Sequence, residues 1–302
     1  MTPDLTVIIC THNREHLLRE AIDAIDAQDH PGVIETVVVY DRSTPDLSLE
    51  RASGPRPVRV VENQRTPGLP GGRNTGVDAA SAPIVAFCDD DDLWSPDKAR
   101  RQLAVLDQQP ETQTVISGMR VIVGDTVVDR IVGADRITFD MLLADRIAAA
   151  HISAAMVRRA SFLGPIGRVN EEIPGGYAED YDWTLRAARA HPIAVVDEPL
   201  VTVRWGLGSY FAERWSMIDQ ALGYLLDTYP EFAAHRRGHA RVLGQRAFAQ
   251  AAARRPGAGS MIRATVRRNW REPRAYLAAL VRFRLLSPAR VVRVLNRRGR
   301  GI

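Results

Sequence analysis

The chain has 302 residues, 45% of them hydrophobic and 25% charged, so it can bury a large core and is neither a disordered tail nor a fibre. Its two cysteines, Cys10 and Cys88, lie in short apolar runs, which excludes a disulfide framework and a cysteine-based zinc site. The formal charge is +4, but residues 254–302 hold fourteen arginines and one acid, Glu272, which leaves −9 on the remainder. The first residues lack a secretory signal and no apolar run approaches the ~20 residues that span a bilayer, so we expect a cytoplasmic protein.

Strand and helix patterns alternate along the first half of the chain. A helix is predicted after the first strand, with Asn13 as its cap, and a Gly-rich turn at 68–72 is predicted to precede a short helix at 74–80. Residues 95–97, Ser-Pro-Asp, are typical of another helix start. Buried strands are predicted from short β-branched apolar runs at residues 5–10, 34–40, 58–61 and 84–88. The alternation predicts an α/β fold with a doubly wound, mostly parallel sheet whose ligands bind at the carboxyl ends of the strands.

The second half of the chain changes character. Short strands are predicted within 114–132 and at 152–157, and a helix that opens with acidic residues follows the glycines at 175–176. Beyond Trp205 the pattern is helical and rich in arginine. We therefore predict two regions, an α/β domain at 1–207 and a C-terminal α-helical extension at 208–302.

Four consecutive aspartates, residues 89–92, follow the strand predicted at 84–88. Adjacent carboxylates repel one another and are costly to bury without a counter-charge, which a divalent cation supplies. Asp89 and Asp91 form an Asp-x-Asp pair suited to Mg²⁺ or Mn²⁺. A calcium-binding loop is excluded, because its sixth and twelfth positions would be Trp94 and Arg100. A solvated acidic turn before the next helix remains the alternative.

Five segments resemble, in order and spacing, those of the family-2 inverting glycosyltransferases of the GT-A fold. The resemblance extends over about residues 5–205, and its segments are residues 7–14, 38–44, 71–76, 87–98 and 178–186. It implies that residues 1–207 form a GT-A nucleotide-sugar-binding catalytic domain. The chain departs from the family pattern at Cys10, where proline is frequent, at residues 40–43, where the family often has Asp-Asp-Gly-Ser, and at Trp205, where a histidine is expected.

The resemblance also implies roles for the donor-binding residues. Thr11 and Arg14 are similar to the residues that hold the nucleotide, and Asp41 to the carboxylate that contacts the base or ribose. Arg73 and Asn74 resemble a segment whose backbone N–H groups and guanidinium suit phosphate oxygens. Considered alone, Asp41 would equally be a turn residue and Arg73 a surface arginine at a helix start.

The two acidic motifs, at residues 89–91 and 179–180, are the candidates for metal binding and for the general base. By resemblance, Asp89 and Asp91 bind Mn²⁺ or Mg²⁺ between the two phosphates of the donor, and Asp90 can substitute for either or join the nucleotide-sugar site. Glu179 and Asp180 resemble the acidic pair that supplies the general base, and we favour Asp180. The alternative is that both acids only stabilise a helix N-terminus.

The resemblance implies a hexosyltransferase-like enzyme that moves a sugar from a nucleotide diphosphate donor, most simply a UDP-sugar, to a hydroxyl acceptor with inversion. The acceptor is expected to be a glycan, a lipid-linked or a small-molecule hydroxyl, in keeping with cell-envelope synthesis. The alternatives are a nucleotidyltransferase and a non-enzymatic membrane- or nucleic-acid-binding protein. His12 and His151 are further candidates for substrate contacts.

The basic C-terminal region combines arginines with apolar residues at helical spacing. Such helices can lie on an anionic membrane, here the inner face of the cell membrane, or pack on the acidic body with the arginines in water. No nucleic-acid partner is expected, because no recognised motif accompanies the charge.

Overall fold

The structure, a computed structural model, describes residues 2–205 and 213–297. Within these residues ten strands form one sheet, and eleven α-helices accompany it. The strands are β1 (Leu5–Thr11), β2 (Ile34–Tyr40), β3 (Val58–Glu62), β4 (Ile84–Asp89), β5 (Leu93–Trp94), β6 (Thr114–Val123), β7 (Thr126–Arg130), β8 (Arg136–Ile137), β9 (Ala155–Arg158) and β10 (Ile193–Arg204). The helices are α1 (Glu15–Asp26), α2 (Leu69–Ala79), α3 (Lys98–Gln108), α4 (Phe139–Ala144), α5 (Arg159–Leu163), α6 (Glu179–Ala190), α7 (Trp215–Thr228), α8 (Arg236–Ala252), α9 (Ala258–Arg268), α10 (Pro273–Arg282) and α11 (Pro288–Arg297).

The strands follow the order β3-β2-β1-β4-β9-β6-β10-β5, with β7 beside β6 and β8 beside β10. Strands β1 to β4 are parallel, and β2 and β3 lie on one side of β1 while β4 lies on the other. Because connections between parallel strands are right-handed, this reversal puts α1 and α2 on opposite faces of the sheet. The carboxyl ends of β1 and β4 meet at the switch point, where doubly wound sheets bind their ligands.

Beyond β4 the sheet is mixed. Strand β9 runs antiparallel to both β4 and β6, whereas β10 is parallel to β6. The predicted α/β fold with a C-terminal helical extension is confirmed. The four strands β3, β2, β1 and β4 are parallel, and the sheet becomes mixed at β9, which runs in the opposite direction. A short apolar run in the sequence does not indicate the direction of its strand.

The central strands are buried along their whole length. Every residue of β1 and of β2 is buried, which explains their continuous apolar runs. Two of their buried polar side chains satisfy each other, because Thr6 Oγ1 donates to Glu35 Oε2 at 2.7 Å. Both cysteines are free and buried, as expected.

Three predicted helix starts are wrong. Asn13 has a left-handed backbone (φ 53°), and Arg14 is the residue that precedes α1. Helix α3 begins at Lys98 after Asp97, and neither it nor α1 has a side-chain cap. Helix α2 begins at Leu69, so Gly71 and Gly72 lie inside the helix instead of in a turn. Tertiary packing outweighs local propensity at each of these sites.

The glycines of α2 allow the helix to approach its neighbours closely. A Cβ atom at Gly76 would lie 2.3 Å from Cγ2 of Ile8 in β1, and one at Gly71 would lie 1.9 Å from the Thr66 carbonyl oxygen. Glycine is therefore required where α2 crosses β1 and where its first turn meets residue 66.

We expect Gly76→Ala to lower the free energy of unfolding by about 1–3 kcal/mol in urea denaturation, because the added methyl overpacks the contact with Ile8. The matched control is Gly223→Ala in α7, where the new Cβ would meet only the end of the flexible Arg246 side chain, 3.2 Å away. Alanine's better helix propensity should leave that variant as stable as the wild type or more so. Equal losses in both variants would contradict close packing as the cause.

The C-terminal helices form two groups. Helices α7 and α8 contribute Leu222, Leu225 and Val242 to the main hydrophobic core. Helices α8 to α11 surround a second, smaller core that includes Phe248 and Val281. The predicted boundary between residues 207 and 208 lies outside the described residues. In the described part of the chain, no helix combines the length and the apolar character needed to cross a bilayer.

Candidate active site

The carboxyl ends of β1 and β4 bring four of the predicted site residues into contact. Asp90 accepts hydrogen bonds from Thr11 Oγ1 at 2.8 Å and from Arg14 at 3.2 Å. The same Arg14 nitrogen donates to Asp91 at 2.9 Å. Burial raises the pKa of Asp90 to about 6, although Thr11 and Arg14 act in the opposite direction. The turn after β1 and the acidic loop after β4 thus form one polar cluster at the switch point.

A buried ionic triad links this cluster to α6. The guanidinium of Arg73 donates one terminal nitrogen to Asp89 at 2.8 Å and the other to Glu179. The Arg73 side chain is only 3% exposed, and it stands in the second turn of α2. Arg73 lies inside α2 and not at its predicted start, and both of its terminal nitrogens bind carboxylates in this arrangement. Its contact with phosphate oxygens stays a prediction.

Asn74 also has a different environment from the predicted one. Its Nδ2 donates to the Val169 carbonyl at 2.8 Å and to Glu171 at 2.7 Å, while its Oδ1 accepts from the Val169 N–H at 3.0 Å. The residue is fully buried. Asn74 therefore fixes the loop before α6 through its side chain, and its predicted contact with the nucleotide-sugar stays a prediction.

Asp41 lies at the end of β2 and ties three neighbouring segments together. Its carboxylate accepts from Asn63 Nδ2 at 2.8 Å, from the Gly68 N–H at 3.1 Å and from Arg42 Nε at 3.1 Å. Burial would raise its pKa, but these hydrogen bonds outweigh it and the pKa is lowered. The His12 ring bonds the Asp41 carbonyl at 2.7 Å, so both predicted candidates occupy this edge of the site.

A possible cation site differs in part from the predicted pair. One ligand atom from each of Asp89, Asp92 and His151 lies within 4.8 Å of the others. Asp92 Oδ2 is buried 3.6 Å from His151 Nδ1 and has no hydrogen-bond partner among the residues the structure describes. Burial, followed by the charge of Asp89, raises the pKa of Asp92 well above its usual value. A buried carboxylate oxygen without a partner beside two other ligands fits a bound divalent cation. The Asp91 carboxylate instead accepts from Arg14.

The acidic pair at the start of α6 divides into two environments. The Glu179 side chain is 6% exposed and paired with Arg73, and burial raises its pKa to about 7 against the effect of that arginine. The Asp180 side chain is 16% exposed, and its Oδ2 lies 3.1 Å from Arg146. Burial would raise the Asp180 pKa, but the charge of Arg146 leads several that lower it. Of the two, Asp180 is the more exposed carboxylate and the one whose pKa is lowered.

Ala178 and the preceding glycines aim this pair into the site. Ala178 has a left-handed backbone (φ 65°), as do Gly175 (φ 63°) and Gly176 (φ 68°). Such a conformation is costly for alanine and persists only where the surroundings fix it, a situation found at functional sites.

Sequence reasoning missed two residues of the site, Asp92 and Arg146, and it proposed His151 as a substrate contact and not as a metal ligand. Asp92 is the fourth aspartate of the run, of which only Asp89 and Asp91 were predicted to bind the metal. The sequence did not indicate that the Asp92 side chain is buried. His151 and Arg146 lie on the segment between α4 and β9, and only the pairing of β9 with β4 brings that segment to the acidic loop.

The family model described as "Glycosyl transferase family 2" matches residues 6–162. An uncharacterised glycosyltransferase of Haemophilus influenzae is 26% identical over 60% of this chain and 61% of its own length. An uncharacterised protein of Mycobacterium bovis is 30% identical over 41% of this chain and 38% of its own length. The Escherichia coli enzyme WfgD, a UDP-Glc:alpha-D-GlcNAc-diphosphoundecaprenol beta-1,3-glucosyltransferase, is 25% identical over 46% of this chain and 54% of its own length. The chain thus spans between 38% and 61% of the length of these relatives.

Solved structures share the fold at low sequence identity. Staphylococcus aureus TarS in complex with UDP-GlcNAc superimposes with a TM-score of 0.65 and 19% identity, over 98% of this chain and 92% of the TarS chain. The mannosyltransferase PcManGT of Pyrobaculum calidifontis, in complex with GDP-Man and Mn²⁺, superimposes with a TM-score of 0.54 and 19% identity, over 96% and 83%. The family model covers more than half of the chain. The chain therefore belongs to glycosyltransferase family 2 and has its GT-A fold.

Proposed function

We propose that the chain transfers a sugar from a nucleotide diphosphate donor, most simply a UDP-sugar, to a hydroxyl group with inversion at the anomeric carbon. The observation that carries the proposal is Asp180, a partly exposed carboxylate of lowered pKa. It adjoins Glu179, which Arg73 ties to Asp89 of the acidic loop. Arg73 thus links the residue next to the proposed base to the acidic loop, an arrangement that suits a single displacement. The complexes of TarS with UDP-GlcNAc and of PcManGT with GDP-Man support this class of donor.

In this mechanism Asp180 accepts the proton of the acceptor hydroxyl as that oxygen bonds to the anomeric carbon. The bond from the anomeric carbon to the donor's phosphate oxygen breaks on the opposite face, and its electron pair leaves with the nucleotide diphosphate. Arg146 keeps Asp180 ionised and oriented at 3.1 Å. Glu179 is not the base in this scheme, because it is buried against Arg73.

The donor would lie along the carboxyl edge of β1, β2 and β4. Thr11, Arg14 and Asp90 border the diphosphate, and Asp41 borders the nucleoside. Asp89 would hold Mn²⁺ or Mg²⁺, either with Asp91 or with Asp92 and His151. Such a cation supplies positive charge that offsets the charge developing on the leaving diphosphate.

The acceptor we propose is a lipid-linked or cell-envelope glycan at the cytoplasmic face of the membrane. The name of WfgD describes transfer to a sugar on diphosphoundecaprenol, and another relative, ExoO of Rhizobium meliloti, is named for succinoglycan biosynthesis, at 36% identity over 33% of this chain. Membership of the glycosyltransferase family weighs against the nucleotidyltransferase and the purely binding alternatives.

The test is calorimetric titration of the protein with UDP, GDP and dTDP, each with and without Mn²⁺. We expect one nucleotide to bind, with at least about tenfold loss of affinity when Mn²⁺ is omitted. Asp91→Asn and Asp92→Asn then distinguish the two cation sites, because the variant that removes a ligand should abolish the effect of Mn²⁺. Asp140→Asn, which changes an exposed carboxylate paired with His235, is the matched control. Folded protein that binds none of the three nucleotides would refute the proposal.

A further inference from the structure

The C-terminal helices expose an unusual share of the chain's large hydrophobic side chains. Ten such side chains are exposed within the described residues, and five of them lie between residues 270 and 294. Phe283 and Leu285 are the most open, at 71% and 69%. These five are Trp270, Tyr276, Phe283, Leu285 and Val294. A single exposed apolar residue is ordinary, but a cluster marks an interaction surface.

Helix α10 is apolar on two faces, and only one of them is covered. Its inner face buries Ala275, Ala278 and Val281, and the last two belong to the second core. Tyr276 in α10 and Phe283, the residue that caps its C-terminus, are seven positions apart, two helical turns, so both are expected on the outer side, and both are exposed. The Tyr276 hydroxyl donates to the carbonyl of Trp270, which fixes the third aromatic residue beside them.

Positive charge surrounds this aromatic row. A cleft of about 580 Å³ begins at Phe283 and contains no acidic residue in its lining. Its four arginines are exposed, and none forms an ion pair within the part of the chain that is described: Arg254, Arg255, Arg282 and Arg284. Arg271 lies 4.9 Å from the centre of the Trp270 ring. Glu272, the one acid in this region, is buried and already paired with Arg274 at 2.8 Å.

We propose that this surface, residues 270–294 with the cleft beside them, docks on an anionic phospholipid bilayer. Tryptophan and tyrosine favour the boundary between headgroups and acyl chains, and exposed Phe283 and Leu285 can enter the apolar layer. The arginines then meet lipid phosphates, each adding attraction to an anionic surface.

Two other occupants fit the surface less well. A second copy of the chain would bring like charges face to face across a two-fold interface. Single-stranded nucleic acid could stack on the aromatic residues, but it would offer no apolar partner to the exposed side chains of Leu285 and Val294. The proposal does not depend on the proposed sugar transfer, so either can fail while the other stands.

The test is co-sedimentation of the full chain with vesicles of phosphatidylcholine mixed with phosphatidylglycerol, compared with phosphatidylcholine alone. We expect binding only to the anionic vesicles, with loss when NaCl rises from about 0.1 to about 0.5 M. The variant Tyr276→Ser with Phe283→Ser and the variant Arg282→Gln with Arg284→Gln should each weaken binding by about tenfold or more. The control Val127→Ser with Ile131→Ser removes exposed apolar side chains elsewhere and should bind as the wild type does.

Three outcomes would overturn the proposal. Equal binding to neutral vesicles would show that the arginines do not recognise anionic lipid. Unchanged binding by the serine variant would show that the aromatic side chains do not insert and that the protein adsorbs only through its positive charge. Tighter binding to a single-stranded oligonucleotide, lost in the same variants, would assign the surface to nucleic acid. All altered side chains are exposed, so each variant should keep the wild-type unfolding midpoint, and the arginine variant remains decisive if the serine variant does not fold.

Discussion

Replacing Asp180 with asparagine should lower turnover by about 10³-fold while leaving donor affinity within about twofold of the wild type. Asparagine keeps the shape of the side chain and its acceptor oxygen beside the Tyr181 N–H, a contact now at 2.8 Å. It cannot accept the proton of the attacking hydroxyl. The loss should therefore fall on kcat and not on binding.

The measurement is release of nucleotide diphosphate from UDP-glucose, UDP-GlcNAc and GDP-mannose, with the best donor used for every variant. Asp140→Asn serves as the control, because that carboxylate is 81% exposed and pairs with His235. Glu179→Gln tests the rival base. The assignment would be reversed if Glu179→Gln lowered turnover by about 10³-fold while Asp180→Asn kept more than about a tenth of the wild-type turnover. Glu179 would then be the base.

The strands of the first half could be predicted from sequence because burial on both faces leaves a continuous apolar run. Strand β2 was predicted with its observed bounds, and β1, β3 and β4 each extend one residue further. Helix starts were less accessible, since α2 begins five residues before the predicted position. Gly71 and Gly72 looked like part of a turn, whereas they lie inside the helix and allow its close approach to the Thr66 carbonyl and the Cys10 side chain.

The acidic residues of the site could be found because charge next to a buried strand demands an explanation. Their partners could not be found in this way. Arginine is usually exposed, and nothing local in α2 indicates that Arg73 is buried between two carboxylates contributed by residues 89 and 179. His151 and Arg146 likewise reach the site only through the pairing of β9 with β4.

The buried position of Arg73 leads to the largest expected effect on stability. Replacing Arg73 with methionine should lower the free energy of unfolding by about 3–5 kcal/mol, because Glu179 is then left buried without a cation. Asp89, whose side chain is 24% exposed, can recover part of its loss from water. The measurement is urea denaturation near neutral pH, with the slope checked for two-state behaviour.

Two controls separate burial from the mere loss of an ion pair. Arg120→Met breaks a surface pair with Asp129, whose side chains are 46% and 43% exposed, and should cost no more than about 1 kcal/mol. The double variant Arg73→Met with Glu179→Met removes both buried charges and should recover most of the stability, although not the turnover. If the double variant is as unstable as Arg73→Met alone, lost packing and not the uncompensated carboxylate is the cause. Recovery of stability without activity would mean that an apolar pair at positions 73 and 179 folds as well as the buried charges do. The ionic triad would then serve the geometry that it imposes on Asp89 and Asp180.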